Sequence, residues 1–214
     1  MTSEFNKLLQ IDANLRDNAW EAQFFAGFIH QPLRIVHSSP QAGPDGFSYL
    51  LAEIADGPGE PAAQVVNWLS SRGIGLVLNP RKTYPDYVFT YGMLWNFRER
   101  GEFQTRVVRS AIEARVEFKS GQQVWVVQPT ASYLPADART LLKQFFLDQG
   151  LLRPRVVLVS ADQAHYDLAF SIESLGQPPE IEHRGIAEAI SWFLPAHYSV
   201  ALVSEKNLTG FVDL

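Results

Sequence analysis

The chain predicts an α+β fold built as two small α+β domains, with mixed or antiparallel sheets covered by amphipathic helices. Three observations predict it. Apolar residues recur at helical spacing in several separate stretches, and short apolar or alternating runs lie between them. Gly-, Pro- and Asp-rich punctuation divides one kind from the other. At 214 residues the length lies between one large domain and two small ones.

Ser3 is placed to cap a first helix carrying Phe5, Leu8, Leu9 and Leu15 inward. A second helix, from Ala19 to His30, sets Trp20, Phe24, Phe25, Phe28 and Ile29 at helical spacing, and Pro32 stops it. Leu33–His37 and Phe47–Ile54 read as strands on either side of a turn-rich stretch. Pro61 suits the first turn of a helix with Val65, Val66 and Leu69 on one face. Gly73 ends it, and Ile74–Leu78 is short and apolar enough for a buried strand. Asp86–Tyr91 reads as a further strand, followed by a short helix, Met93–Arg100, ending near Gly101. Glu113–Lys119 alternates in and out, and Val124–Val127 is a strand.

The punctuation from Gln128 to Tyr133 is the expected domain boundary, giving an N-terminal domain 1–128 and a C-terminal domain 129–214. The second half reads helix Pro135–Gln149, strands Val156–Ser160 and Leu168–Ile172, helix Glu182–Leu194, then strands Tyr198–Val203 and Gly210–Leu214. Such an order is an α+β unit long enough to hold its own core.

Composition narrows the function classes. A net charge of −5 disfavours a nucleic-acid partner. The absence of cysteine excludes disulfides, thiolate metal sites and a cysteine nucleophile. The first residues carry charge in every turn, unlike a signal peptide, and no apolar run is long enough to span a bilayer. A soluble, bacterial-type cytoplasmic protein without membrane contact is the expectation. The five histidines show no zinc-hydrolase spacing, so no metal is expected. No GxSxG elbow occurs. Gly73-Ile-Gly75 precedes a strand where a dinucleotide fingerprint must follow one, so no cofactor is expected either. No residue is assigned a catalytic role.

One segment stands out. Six aromatics fall within the fourteen residues from Tyr84 to Phe97. Arg81 and Lys82 precede them and a run of alternating charge follows. Such a segment is either the keystone of a core or a recognition surface. Phe89, Leu94 and Phe97 suit packing, whereas Tyr84, Tyr87, Tyr91 and Trp95 keep polar tips close to Arg81, Lys82 and Arg98. Tyr, Trp and Arg are enriched in binding hot spots, so these seven residues are the expected contact surface for a protein or peptide partner. Two other classes remain open. One is a small hydrolase or transferase using Asp86 and Glu99 as paired carboxylates. The other is a self-associating protein using the aromatic segment or the terminal strand as a homo-oligomer interface.

The Gly73–Pro80 element, the helix start at Leu134-Pro135 and the helix end Ser191–Pro195 together resemble the SseB-like proteins, a bacterial family with N- and C-terminal SseB-type domains. The resemblance covers nearly the whole chain. It implies a binding or accessory role and brings no catalytic residues with it.

Overall fold

A computed structural model describes residues 4–104 and 124–214, and the chain divides into two units, Met1–Phe103 and Gln104–Leu214. The division falls earlier than the punctuation at Gln128 suggests. Arg139 donates to the carbonyls of Pro129 and Leu134, and the strand at Trp125–Val127 pairs with Ser160–Leu158. The residues just before and within the expected linker therefore belong to the second unit, held by pairings that span some thirty residues of sequence.

In the first unit α1 (Glu4–Leu8) buries Phe5, and a 3₁₀ turn at Ala13–Leu15 follows. That turn ends the expected long first helix and leaves Leu15 exposed instead of inward; Ser3, its expected cap, lies outside the described residues. Asp17 caps α2 (Asn18–Phe28) by accepting from the Trp20 N–H at 2.8 Å, and Trp20, Phe24 and Phe28 are buried. Strands β1 (Pro32–Ile35), β2 (Gln41–Ala42), β3 (Ser48–Ile54) and β4 (Glu60–Pro61) lead to α3 (Ala62–Ser70), β5 (Gly75–Leu78), β6 (Tyr87–Phe89) and α4 (Tyr91–Arg100). The sheet order is β4-β1-β3-β5-β6, with β2 also on β3. Only β3 and β5 run parallel, joined by the crossover helix α3.

Register assigns the faces. Leu33, Leu50, Ala52, Leu76, Leu78 and Phe89 share the face that meets the buried residues of α2 and α3. Arg34, Leu51, Glu53, Val77 and Val88 share the other. The two glycines before β5 have separate structural causes. Gly73 takes a positive φ of 68° after α3. A Cβ on Gly75 would lie 2.5 Å from the Tyr49 ring, so only glycine lets that ring lie across β5.

In the second unit β7 (Trp125–Val127), α5 (Ala136–Asp148), β8 (Arg155–Ser160), β9 (Asp167–Ser171), α6 (Glu180–Ser191), β10 (Ser199–Val203) and β11 (Val212–Asp213) form a mixed sheet in the order β10-β9-β8-β11, with β7 also on β8. β9 and β10 run parallel around α6. One face meets the helices, with Phe146 against Phe170 at 5.6 Å. The opposite face, Val157, Val159, Ala169, Ala201 and Val203, is extended by Val126 of β7 beside Val159 and packs against Leu208 and Phe211 of the C-terminal segment, with Val124 against the same cluster. The strand expected at Glu113–Lys119 lies outside the described residues. Among the described residues, no helix is long and apolar enough to cross a membrane.

Candidate functional site

Most of the aromatic segment turns inward. Thr90 caps α4 through the Met93 N–H, and Gly101, at a φ of 74°, closes it. This short helix buries Tyr91, Leu94 and Trp95. Trp95 has no exposed surface, packs against Tyr91 with the rings tilted and 5.6 Å apart, and donates from Nε1 to Glu99 at 2.6 Å. Tyr87 is half-buried against Trp20, Phe24, Phe25 and Phe89, and its hydroxyl donates to Glu21. Arg98 gives a guanidinium N–H to the carbonyl of the buried Ser70 at 2.9 Å, tying α4 to α3. Four of the seven expected contact residues, Tyr87, Tyr91, Trp95 and Arg98, are thus engaged in the core or its edges. The physical reason is area: Tyr87 and Phe89 on the core face of β6, with Tyr91 and Trp95 of α4, bury large ring surfaces at little cost in side-chain entropy. Polar tips did not signal exposure, because Trp95 and Tyr87 find partners inside the unit.

Arg81, Lys82 and Tyr84 are different. They lie on the loop from Asn79 to Asp86, and Tyr84 is 77% exposed. The loop is stapled at its base. Asn79 takes a positive φ of 54°, which Asn tolerates better than most side chains. Its amide oxygen accepts the Ile54 N–H, and its amide nitrogen donates to Asp86 at 2.6 Å. The Asp86 carboxylate, buried, also receives Lys82 at 2.6 Å and Arg16 at 3.0 Å. Arg16 further donates to the carbonyls of Asp86, Ile11 and Leu9, and stacks over Trp20. Both ends of the loop are therefore fixed, and the Asp86 N–H bonds the Leu78 carbonyl across its neck.

An open cleft of about 470 Å³ lies beside this loop, lined by Asn6, Leu9, Gln10, Arg34, Glu53, Ile54, Asp56, Asn79, Arg81 and Lys82. It sits where β3 and β5, the parallel pair, reach their carboxyl ends, the position at which open α/β sheets commonly hold ligands. Glu53 bridges two guanidiniums, with Arg34 on one carboxylate oxygen and the Nε of Arg81 on the other at 3.3 Å. Side chains of Arg34 and Arg81 are largely in solvent, while that of Glu53 is nearly covered. Sequence reading missed Arg16, Arg34 and Glu53. An alternating strand partner pair, Arg34 opposite Glu53, is visible only once register is known.

No family model matches the chain. Comparisons with curated proteins and with solved structures likewise give no match. The site must be read on its own chemistry. Asp86 and Glu99 do not form an acid–base pair: Asp86 is saturated by Arg16, Lys82 and Asn79, and Glu99 accepts the Trp95 indole from the last turn of α4. Neither lines the cleft. Among the described residues, no group of three or more carboxylates and histidines could hold a metal ion.

Proposed function

We propose that the chain is a non-catalytic binding or accessory protein, and that it recognises a protein or peptide partner through the Arg81–Tyr84 loop and the cleft beside it. The observation that carries this reading is the Asn79–Asp86 staple, which holds an exposed tyrosine and two cations on a loop fixed at both ends. A preorganised loop loses little entropy on binding, and Tyr and Arg are the side chains that most often anchor interfaces. Membership of the SseB-like proteins belongs to the same proposal. It rests on the Gly73–Pro80 element, whose Asn79 now has a structural role, and accords with two α+β units. A cytoplasmic setting is part of it too.

The test is affinity capture from a native lysate with mass-spectrometric identification, comparing wild type with Arg81→Ala/Tyr84→Ala. Both side chains are exposed, so the variant should fold. A specific partner kept by wild type and lost by the variant is the expected result. Equal capture by both forms would rule out this surface, and a rise in mass with concentration alone would move the reading to self-association.

A further inference from the structure

We propose, resting on the binding reading above, that the cleft takes a single carboxylate side chain of the partner, held between Arg34 and Arg81 in competition with Glu53. Each guanidinium carries five N–H donors. Arg34 and Arg81 each give one contact to Glu53, and no other hydrogen bond to a described residue holds either head group. Both residues line the same cleft, with side chains 64% and 70% exposed. One carboxylate already spans both guanidiniums, so a second acceptor with the same two-oxygen geometry meets donors preset for it.

Charge decides which acceptor. The cleft is lined by three cations, Arg34, Arg81 and Lys82, against two carboxylates, Glu53 and Asp56. Asp86, behind Lys82, is balanced by Arg16. One positive charge is left over. A carboxylate neutralises it, whereas a phosphate dianion would leave the cleft negative beside Asp56. Because the cleft is open to solvent, a passing chain can lay one acidic side chain into it. Glu53 is then an internal competitor: it keeps the guanidiniums spread and weakens every acid that enters.

The experiment follows the Nε–Hε resonances of Arg34 and Arg81 in the ¹⁵N-labelled full chain. Titrants are an N-acetylated, C-amidated peptide, Gly-Ser-Gly-Glu-Gly-Ser-Gly, its Gln counterpart, and inorganic phosphate. The Glu peptide should shift both resonances saturably and the Gln peptide should not. Glu53→Gln adds one net positive charge while keeping an acceptor, and should lower the half-saturating concentration about fivefold. Arg34→Ala should raise it about tenfold. Equal shifts with the Gln peptide, weaker binding to Glu53→Gln, or a larger response to phosphate would each overturn the assignment. If the peptides fail while the lysate partner is still lost by Arg81→Ala/Tyr84→Ala, the carboxylate is wrong and the binding surface stands. Failure of the peptides together with equal lysate capture by both forms removes the two together.

Discussion

The two units share one wiring and differ in what they do with the sheet face turned from the helices. In each, a helix leads into an antiparallel strand pair, and a crossover helix then places a parallel third strand beside the second: α2-β1-β3-α3-β5 and α5-β8-β9-α6-β10. In the C-terminal unit that face is apolar and covered by the chain's own last residues. Its strand-end polar groups are consumed internally: Arg155 pairs with Glu205 at 2.5 Å and donates to the Phe211 carbonyl, and Ser171 and Ser204 bond Glu205 and Glu173. In the N-terminal unit the same face carries Arg34, Glu53, Leu51, Val77 and a half-exposed Val88, and its strand ends border a cleft. One scaffold closed on itself and one with solvent-facing donors is the contrast on which the proposed binding role of the N-terminal unit rests.

The contrast can be broken most severely at the core. Trp95→Ala removes a fully buried ring, and denaturant melts should show a loss of about 4 kcal/mol. A loss under 1 kcal/mol would mean that the segment is surface after all. Asp86→Ala leaves Arg16 unpaired in a part-buried site and frees the loop. A cost of about 3 kcal/mol is expected, less than for a fully buried pair because Lys82 is half in solvent. Phe211→Ala opens the covered face of the C-terminal unit. It should lose about 3 kcal/mol and bind a hydrophobic dye that wild type does not.

A pH series sharpens the same comparison with a smaller effect. Glu173 is part-buried, which pushes its carboxyl up, but bonds from Ser204 and the Glu205 N–H outweigh this and hold it below its ordinary 4.5. Its folded value thus lies below the unfolded one. The stabilisation is complete above the unfolded value and fades as pH falls through the folded one. Glu173→Gln should flatten the acid limb of the stability curve, and an unchanged limb would remove this bond set from the account. Smallest of all, Tyr84→Ala should leave stability within about 0.5 kcal/mol while weakening capture of the partner.

Periodicity made most of the architecture legible. Trp20, Phe24 and Phe28 at helical spacing, and the alternation or apolar runs of Ser48–Ile54, Gly75–Leu78 and Arg155–Ser160, depend on local chemistry alone. The shared wiring was not legible, because strand order follows from pairings far apart in sequence. The domain boundary moved for the same reason: β7 is held by β8. At the site, the composition of Asn79–Phe103 marked an unusual stretch without showing which way each ring points. Trp95 and Tyr84 carry the same promise in sequence, yet the helix capped by Thr90 turns one inward, while the staple at Asp86 leaves the other outside. Arg34 and Glu53, ordinary charges in an alternating strand, gain meaning only when register sets them opposite each other.

The division of the aromatic segment into core and exposed loop is tested most directly by hydroxyl-radical footprinting of the folded chain, read residue by residue. Trp192 and Tyr84, both largely exposed, should be modified readily, while Tyr91 and Trp95 stay at background until denaturant is added. Modification of Trp95 at the rate of Tyr84 in the folded protein would contradict the account and return the whole segment to the surface.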